Sequence, residues 1–106
     1  MQIGIDLGAT KIESVLLDQN GAEVLRERNN TPKNYKETII SIVNIVKKIE
    51  KKFNKKFSVG ICHPGSTISE TGLIKNSNNS TWMNNKPFQK DISSELNRII
   101  YCENDA

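Results

Sequence analysis

The residues best suited to chemistry lie near the N-terminus, where a carboxylate precedes a turn of small residues. Asp6 ends an alternating apolar run, and Gly8, Ala9, Thr10 and Lys11 follow it. Glycine and alanine let a phosphate approach the backbone closely, and Thr10 adds a hydroxyl donor beside N–H groups that the turn is expected to leave free. A carboxylate next to such a turn is suited to hold Mg²⁺, directly or through water. The pattern indicates a nucleotide-phosphate site, although the same composition between two strands is also typical of an ordinary hairpin.

Later loops supply further polar groups. Pro64-Gly65-Ser66 and Asn104-Asp105 each follow a predicted strand, as the turn after Asp6 does. Because the ends of parallel strands meet at one edge of an α/β sheet, we expect these three loops to lie together. The loop from Asn79 to Trp82 can close over the same edge. Its amides and hydroxyls both donate and accept hydrogen bonds, as a polyhydroxy ligand requires.

Alternation of apolar and polar residues predicts the strands that carry the first turn. Ile3, Ile5 and Leu7 take every second position, which is the period of a half-buried strand. An Asn-Gly turn then favours a hairpin into a third strand, in which Ala22 and Val24 alternate with polar residues. The three strands are predicted at residues 2–7, 12–17 and 22–28. They form an antiparallel meander.

The rest of the chain alternates helices with strands. From Asn34 to Phe53 the apolar period is helical, and Asn34 with Glu37 forms a capping-box-like start. A strand, a long helix and a further strand after a meander favour parallel pairing with the first strand. The remaining elements are predicted as strands at 57–62, 71–75 and 99–103 and a helix at 87–98. The sequence thus predicts an α/β fold, a three-stranded antiparallel meander extended by parallel strands with helices packed on the sheet.

Composition excludes several classes of protein. A chain of 106 residues with 36% hydrophobic residues, 25% charged residues and a net charge of +3 fits one ordinary domain. The lysines cluster near the end of the long helix, and we interpret them as a solvated face rather than a nucleic-acid footprint, since no aromatic platform accompanies them. Cys62 and Cys102 fit no zinc or disulfide spacing, and we expect both to be buried and reduced. Met1 leads directly into a strand and no apolar run is long enough to span a membrane, so we expect a cytoplasmic location.

The opening stretch Ile3 to Lys11 resembles the first phosphate motif of the actin-like ATPase fold, in the Asp-x-Gly-x-Thr-Lys form found in ROK-family sugar kinases. Further segments occur in the order seen in ROK-family fructokinases and mannofructokinases. They are Val59-Gly60-Ile61, Pro64-Gly65-Ser66, Thr71-Gly72, Lys75-Asn76, Asn79-Ser80-Thr81-Trp82-Met83-Asn84, Pro87-Phe88 and Asn104-Asp105-Ala106. Each segment is weak alone, but their order and spacing extend the resemblance over essentially the whole chain.

The resemblance implies a fold and a set of site residues. Residues 1–106 would be the N-terminal actin-like (ribonuclease H-like) lobe of an ATP-dependent hexose kinase. Asp105 would be the general base that accepts the proton of the attacking sugar hydroxyl. The residues implied to serve Mg²⁺ and the ATP phosphates are Asp6, Gly8, Thr10 and Lys11, with Asp6 as the metal ligand. Those implied to contact the sugar are Gly65, Asn79, Asn84 and Asn104.

The same resemblance assigns other parts of the enzyme to a second lobe. The adenosine pocket, further sugar contacts and the family's zinc motif belong there, so we expect the 106 residues alone to be inactive. The resemblance also implies that the full-length kinase is a homodimer. The loop from Asn79 to Trp82 favours fructose or mannose as substrate. The alternatives are an N-acetylglucosamine or glucose kinase of the same family, the sugar-sensing lobe of a ROK-type repressor, or a non-catalytic interaction module.

The sequence departs from the family pattern at several positions. Cys62-His63 stands where the family has glycine and an aliphatic residue, and we interpret His63 as a strand-end residue rather than a ligand-facing one. Asn85 replaces a glycine, which is tolerable because asparagine accepts positive φ. The loop from Asn76 to Asn79 carries one extra asparagine, which puts the placement of Asn79 in doubt. Trp82 is interpreted as packing under the loop.

Overall fold

The domain consists of a β-sheet with helices packed on it. The computed structural model describes residues 1–104. Its strands are β1 Gln2–Leu7, β2 Lys11–Leu17, β3 Glu23–Asn30, β4 Ser58–His63, β5 Ser66–Thr67, β6 Ile74–Lys75 and β7 Tyr101–Asn104. Its α-helices are α1 Tyr35–Phe53 and α2 Phe88–Leu96, and a 3₁₀ turn covers Thr81–Met83. Within this part of the chain, no helix is long and apolar enough to cross a membrane.

The main sheet has the order β3-β2-β1-β4-β7. β1, β2 and β3 pair antiparallel as a meander, whereas β4 runs parallel to β1 and β7 runs parallel to β4. A separate two-stranded sheet pairs β5 with β6. The prediction of a meander extended by parallel strands is confirmed.

The core lies on one face of this sheet. Ile3, Ile5 and Leu7 of β1 are buried, and they join the apolar faces of both helices in a single cluster. Ser14 is buried on the same face of β2, and its Oγ has no hydrogen-bond partner among the described residues. The opposite face carries the alternate residues of each strand. There Gly4 and Gly60 lie side by side in register, and they contribute to an open trough of about 470 Å³.

The boundaries of α1 follow from its capping residues. The Oδ1 of Asn34 accepts a hydrogen bond of 2.9 Å from the Glu37 N–H, and the Asn34 amide donates to the Glu37 carboxylate at 3.3 Å. This confirms the predicted capping-box-like pairing, in which the return hydrogen bond comes from the Asn34 side-chain amide. At the other end Asn54 adopts φ 51°, a left-handed conformation that ends the helix.

A partly buried ion pair ties the ends of both helices to the start of β4. The guanidinium of Arg98 donates to both carboxylate oxygens of Glu50, at 2.6 and 3.0 Å, and to the carbonyl of Phe57 at 2.9 Å. The Phe57 N–H donates in turn to Glu50 at 2.8 Å. Burial by itself raises the pKa of Glu50, but the hydrogen bonds from Arg98 and Phe57 outweigh it and hold that pKa below its ordinary value.

Two sequence-based expectations about strands are wrong. In β3 the residue that packs against the core is Leu25, opposite Leu16, while Val24 is 44% exposed. Leu25 pairs with the buried Leu16 and so lies on the core side of the sheet, which puts the preceding Val24 on the opposite side. Cys62 was expected to be buried but is exposed, because it shares the open face of the sheet with Gly60.

Cys102 is partly buried and packs against the core. Its pKa is raised to about 12, first by burial and second by its proximity to Cys62. The thiol is therefore protonated at neutral pH and behaves as a small apolar group, as predicted.

Candidate active site

Three parallel strands end at the same edge of the sheet. β1, β4 and β7 run in one direction, with Asp6 opposite Cys62 and His63 opposite Asn104. The turn after β1, the turn after β4 and the end of β7 therefore lie along one edge, as expected from the sequence. Asp105 follows Asn104 in the sequence and lies outside the described residues.

The turn after β1 is closed by hydrogen bonds. The Gly8 N–H donates to the Lys11 carbonyl at 2.9 Å, and a side chain on Gly8 would bring its Cβ within 2.9 Å of that oxygen. The expectation that this N–H is free to bind phosphate is wrong, since hairpin formation uses it. The N–H groups of Ala9 and Thr10 and the Thr10 hydroxyl are not used by other groups in the part of the chain that the structure describes. The hydrogen-bond donors available at this turn therefore come from Ala9 and Thr10.

A residue that the sequence analysis missed holds the turn in place. Thr31 is 4% exposed, its hydroxyl donates to the Gly8 carbonyl at 2.8 Å, and its N–H donates to the Thr10 carbonyl at 2.9 Å. Beside it, the Lys11 ammonium donates to the side-chain carbonyl of Asn30. Thr31 follows β3 directly and precedes a proline, and these two features are the only sequence signals that it belongs to the turn.

Asp6 lies on the open face of the sheet between Glu13 on β2 and Cys62 on β4. Its side chain is exposed. Glu13 is paired with two arginines of β3, at 3.0 Å from Arg26 and 3.5 Å from Arg28. An exposed carboxylate beside phosphate-binding N–H groups fits Mg²⁺, which is commonly held by one or two carboxylates together with water and substrate phosphates. Among the described residues, no group of three or more His, Cys, Asp or Glu side chains is placed to hold a metal ion.

The turn after β4 depends on a glycine and a buried histidine. Gly65 has φ +77°, and a Cβ there would come within 2.6 Å of the Lys75 carbonyl on β6. His63 is 1% exposed, packs edge-to-face on Phe88 at 5.4 Å between ring centroids, and has its Nδ1 3.0 Å from the Pro64 carbonyl. This agrees with the interpretation of His63 as a packing residue rather than a ligand-facing one.

The polar loop before α2 is organised by Asn84. Its Oδ1 accepts the Ser77 N–H at 2.9 Å and its Nδ2 donates to the Ser77 carbonyl at 3.2 Å. The Ser77 hydroxyl is itself buried and donates to the Ser80 carbonyl at 2.8 Å. Both polar atoms of the Asn84 side chain are therefore hydrogen-bonded to the loop backbone. Ser77 is a second residue that the sequence analysis missed. Asn85 has φ 66°, which confirms the conformation expected at that position.

The other predicted sugar-contacting residues are accessible. Asn79 is exposed in the loop before the 3₁₀ turn, and Asn104 is exposed at the end of β7. Trp82 is partly buried against the core, as its interpretation as a packing residue requires.

Comparison with known proteins places this arrangement in context. The model of the ROK family matches residues 2–106. An N-acetyl-D-glucosamine kinase of Mannheimia succiniciproducens is 40% identical over 107 aligned positions, which cover 100% of this chain and 35% of that protein. The chain thus spans about a third of the length of the curated relatives that it matches.

Solved structures show the same fold. The ROK hexokinase from Thermus thermophilus matches with a TM-score of 0.83 at 23% identity, covering 98% of this chain and 35% of that one. A ROK family glucokinase from Streptomyces griseus, solved in complex with glucose and AMPPNP, matches with a TM-score of 0.83 at 23% identity, covering 99% of this chain and 33% of that one. These likenesses establish the fold of the sheet and its helices.

Proposed function

Because the chain belongs to the ROK family, we propose that it forms the N-terminal lobe of an ATP-dependent sugar kinase. The observation that carries the proposal is the shared edge of β1, β4 and β7. The turn after Asp6, which we propose for the phosphates, and the polar turns after β4 and β7, which we propose for the sugar, follow strands that end at this edge. Phosphoryl transfer needs positioning and charge neutralisation more than covalent chemistry, and such an edge supplies groups for both.

The ATP phosphates would be received at the turn after β1. The N–H groups of Ala9 and Thr10 and the Thr10 hydroxyl are the donors, and Lys11 adds a positive charge next to them. Gly8 contributes by closing the turn rather than by donating. Asp6 would hold Mg²⁺ directly or through water, and the ion would neutralise charge on the phosphates when bound.

Deprotonation of the sugar hydroxyl is assigned to Asp105. An aspartate can accept this proton late in the reaction, when the hydroxyl has become acidic. Asn104, Asn79 and Gly65 are proposed to line the sugar site from two loops. For Asn84 we propose a positioning role, since both polar atoms of its side chain already bind Ser77.

For the substrate we propose N-acetylglucosamine ahead of the fructose or mannose expected from the sequence. The support is that several curated relatives, at 31–40% identity, are N-acetyl-D-glucosamine kinases. Fructose and mannose remain the second candidates, favoured by the loop from Asn79 to Trp82. A full-length kinase carrying this lobe, tested with a hexose panel in a coupled ADP-release assay, decides between them. A kcat/KM for fructose or mannose well above that for N-acetylglucosamine would overturn the assignment.

The 106 residues alone are proposed to fold without catalysing. The phosphate turn and sugar loops form one wall of a cleft, and a second lobe is needed to hold adenosine and exclude water. The full-length kinase is proposed to be a homodimer. It is proposed to act in the cytoplasm. Turnover by the purified 106-residue chain comparable to that of an ordinary kinase would contradict the division into two lobes.

A further inference from the structure

The residue that follows β3 lies against the turn proposed for the ATP phosphates. Thr31 is 4% exposed and comes directly after β3. Its hydroxyl donates to the Gly8 carbonyl at 2.8 Å, and its N–H donates to the Thr10 carbonyl at 2.9 Å. One residue therefore fixes the carbonyl groups of the two residues that flank Ala9.

The bond to Gly8 sets the direction of a donor of the turn. The described peptide bonds are all trans, and in a planar trans peptide the carbonyl and the N–H point in opposite directions. The Gly8 carbonyl and the Ala9 N–H belong to one peptide group. Because that carbonyl points at the Thr31 hydroxyl, the Ala9 N–H points away from Thr31. Ala9 is half-buried and Thr10 is exposed, so a ligand can reach this part of the turn.

Thr31 is itself held in place from two sides. The residue before a proline is largely confined to extended backbone, and Pro32 follows Thr31. Asn34, two residues further on, caps α1. The hydroxyl is therefore held between the end of β3 and the start of α1, which makes it a firm anchor for the Gly8 carbonyl.

We propose that Thr31 is a positioning residue for the ATP phosphates. Its hydroxyl holds the Gly8–Ala9 peptide group in the orientation that directs the Ala9 N–H at a phosphate oxygen. The inference rests on the proposed function, because it assigns a role at the same phosphate turn. Thr31 acts on the nucleotide only through this peptide group. Without the hydroxyl the peptide group can rotate, and part of the binding free energy is lost in ordering it again.

Nucleotide binding to a full-length kinase carrying this lobe tests the proposal. Calorimetric titration measures the dissociation constants of Mg²⁺–AMPPNP and of the hexose that the wild-type kinase phosphorylates best. Valine keeps the shape of threonine without the hydroxyl, whereas serine keeps the hydroxyl. Thr31→Val should weaken AMPPNP binding by about tenfold, the effect of one lost hydrogen bond, and leave sugar binding within about twofold. Thr31→Ser should bind AMPPNP within about threefold of wild type.

Thr38→Val is the matched control for the loss of a buried threonine hydroxyl. Thr38 is 0% exposed, and its hydroxyl donates to the Asn34 carbonyl at 2.8 Å and lies 3.5 Å from that of Pro32. Neither carbonyl belongs to the phosphate turn. Thr38→Val should therefore leave AMPPNP affinity unchanged. Urea unfolding of both valine variants measures how much stability each one loses.

A second pair of variants isolates the hydroxyl if Thr31→Val does not fold. Thr31→Ser and Thr31→Ala both lack the methyl group and differ only in the hydroxyl. Thr31→Ser should bind AMPPNP about tenfold more tightly than Thr31→Ala.

Equal AMPPNP affinity in wild type and Thr31→Val, or in the serine and alanine variants, would overturn the proposal. A proportional loss of AMPPNP and sugar affinity would also overturn it, as would an equal loss of AMPPNP affinity in Thr38→Val, because either result would leave Thr31 with a structural role alone. A wild-type kinase that binds no Mg²⁺–AMPPNP would overturn the proposed function and this inference with it. Unchanged affinity in the variants of a kinase that does bind it contradicts this inference alone.

Discussion

Removal of the Glu50 carboxylate should cost this domain a large part of its stability. The side chains of Glu50 and Arg98 are only 11% and 18% exposed, and they form a two-pronged contact at 2.6 and 3.0 Å. Glu50→Ala leaves the guanidinium with only two backbone carbonyl acceptors, those of Phe57 and Leu96, and it removes the hydrogen-bond partner of the Phe57 N–H. Removing one member of a buried pair typically costs 3–5 kcal/mol, and the residual hydration of Arg98 argues for about 3 kcal/mol here.

The measurement is urea unfolding of the wild-type chain, Glu50→Ala, Arg98→Ala and the double variant. The double variant should lose less stability than the sum of the single losses, because the two groups share one contact. Glu23 and Arg26 offer a matched control, since they form the same kind of ion pair on the surface. Glu23→Ala should be nearly silent. A loss in Glu50→Ala no larger than that of Glu23→Ala, or strictly additive single losses, would refute the reasoning.

The same pair predicts a pH dependence. The pKa of Glu50 is lowered in the folded state, so its contribution is complete above the unfolded value of 4.5 and is lost as pH falls through the folded value. The difference in unfolding free energy between wild type and Glu50→Gln should therefore be largest at neutral pH and close in acid. A difference that widens on acidification would show that the pKa shift has the opposite sign.

Three further predictions concern single residues. Ser14→Ala should stabilise the chain by about 1 kcal/mol in urea unfolding, because it removes a buried hydroxyl without a partner among the described residues; a loss of stability would reveal a hydrogen bond to Ser14. Gly65→Ala should destabilise the fold by more than about 1 kcal/mol, since φ is +77° and the new Cβ would meet the Lys75 carbonyl at 2.6 Å; an unchanged midpoint would contradict this. In a full-length kinase, Asp105→Asn should lower kcat by about 10²–10⁴-fold while sugar binding survives, and near-wild-type turnover would remove Asp105 from the role of base.

The sequence predicted those features that depend on local periodicity. The alternation of Ile3, Ile5 and Leu7 and the cap at Asn34 each act over a few residues, and both appear in the structure. The phase of β3 could not be read in this way. It is set by the pairing of Leu25 with Leu16 in the neighbouring strand.

The site was predicted less completely than the fold, because hydrogen bonds between distant residues decide which groups are available. The Gly8 N–H is hydrogen-bonded to the Lys11 carbonyl within the hairpin, and the Asn84 side-chain amide is hydrogen-bonded to the backbone of Ser77. Thr31 closes the phosphate-type turn from the end of a different strand. A sequence motif for the turn covers only neighbouring residues, and Thr31 lies 23 residues beyond Gly8. The contact between them is therefore visible only in the folded structure.

The central position of β1 bears on the order in which the chain can fold. β1 precedes the other described strands in the sequence, and its antiparallel partner β2 begins at Lys11, so the meander needs only local contacts. Its parallel partner β4 begins at Ser58, and pairing must wait until α1 has been made. The closure of that long crossover, rather than the hairpins, should limit the folding rate. β7, the last of the described strands, then adds to β4, so the sheet edge that carries both halves of the candidate site is complete only when Asn104 has been synthesised.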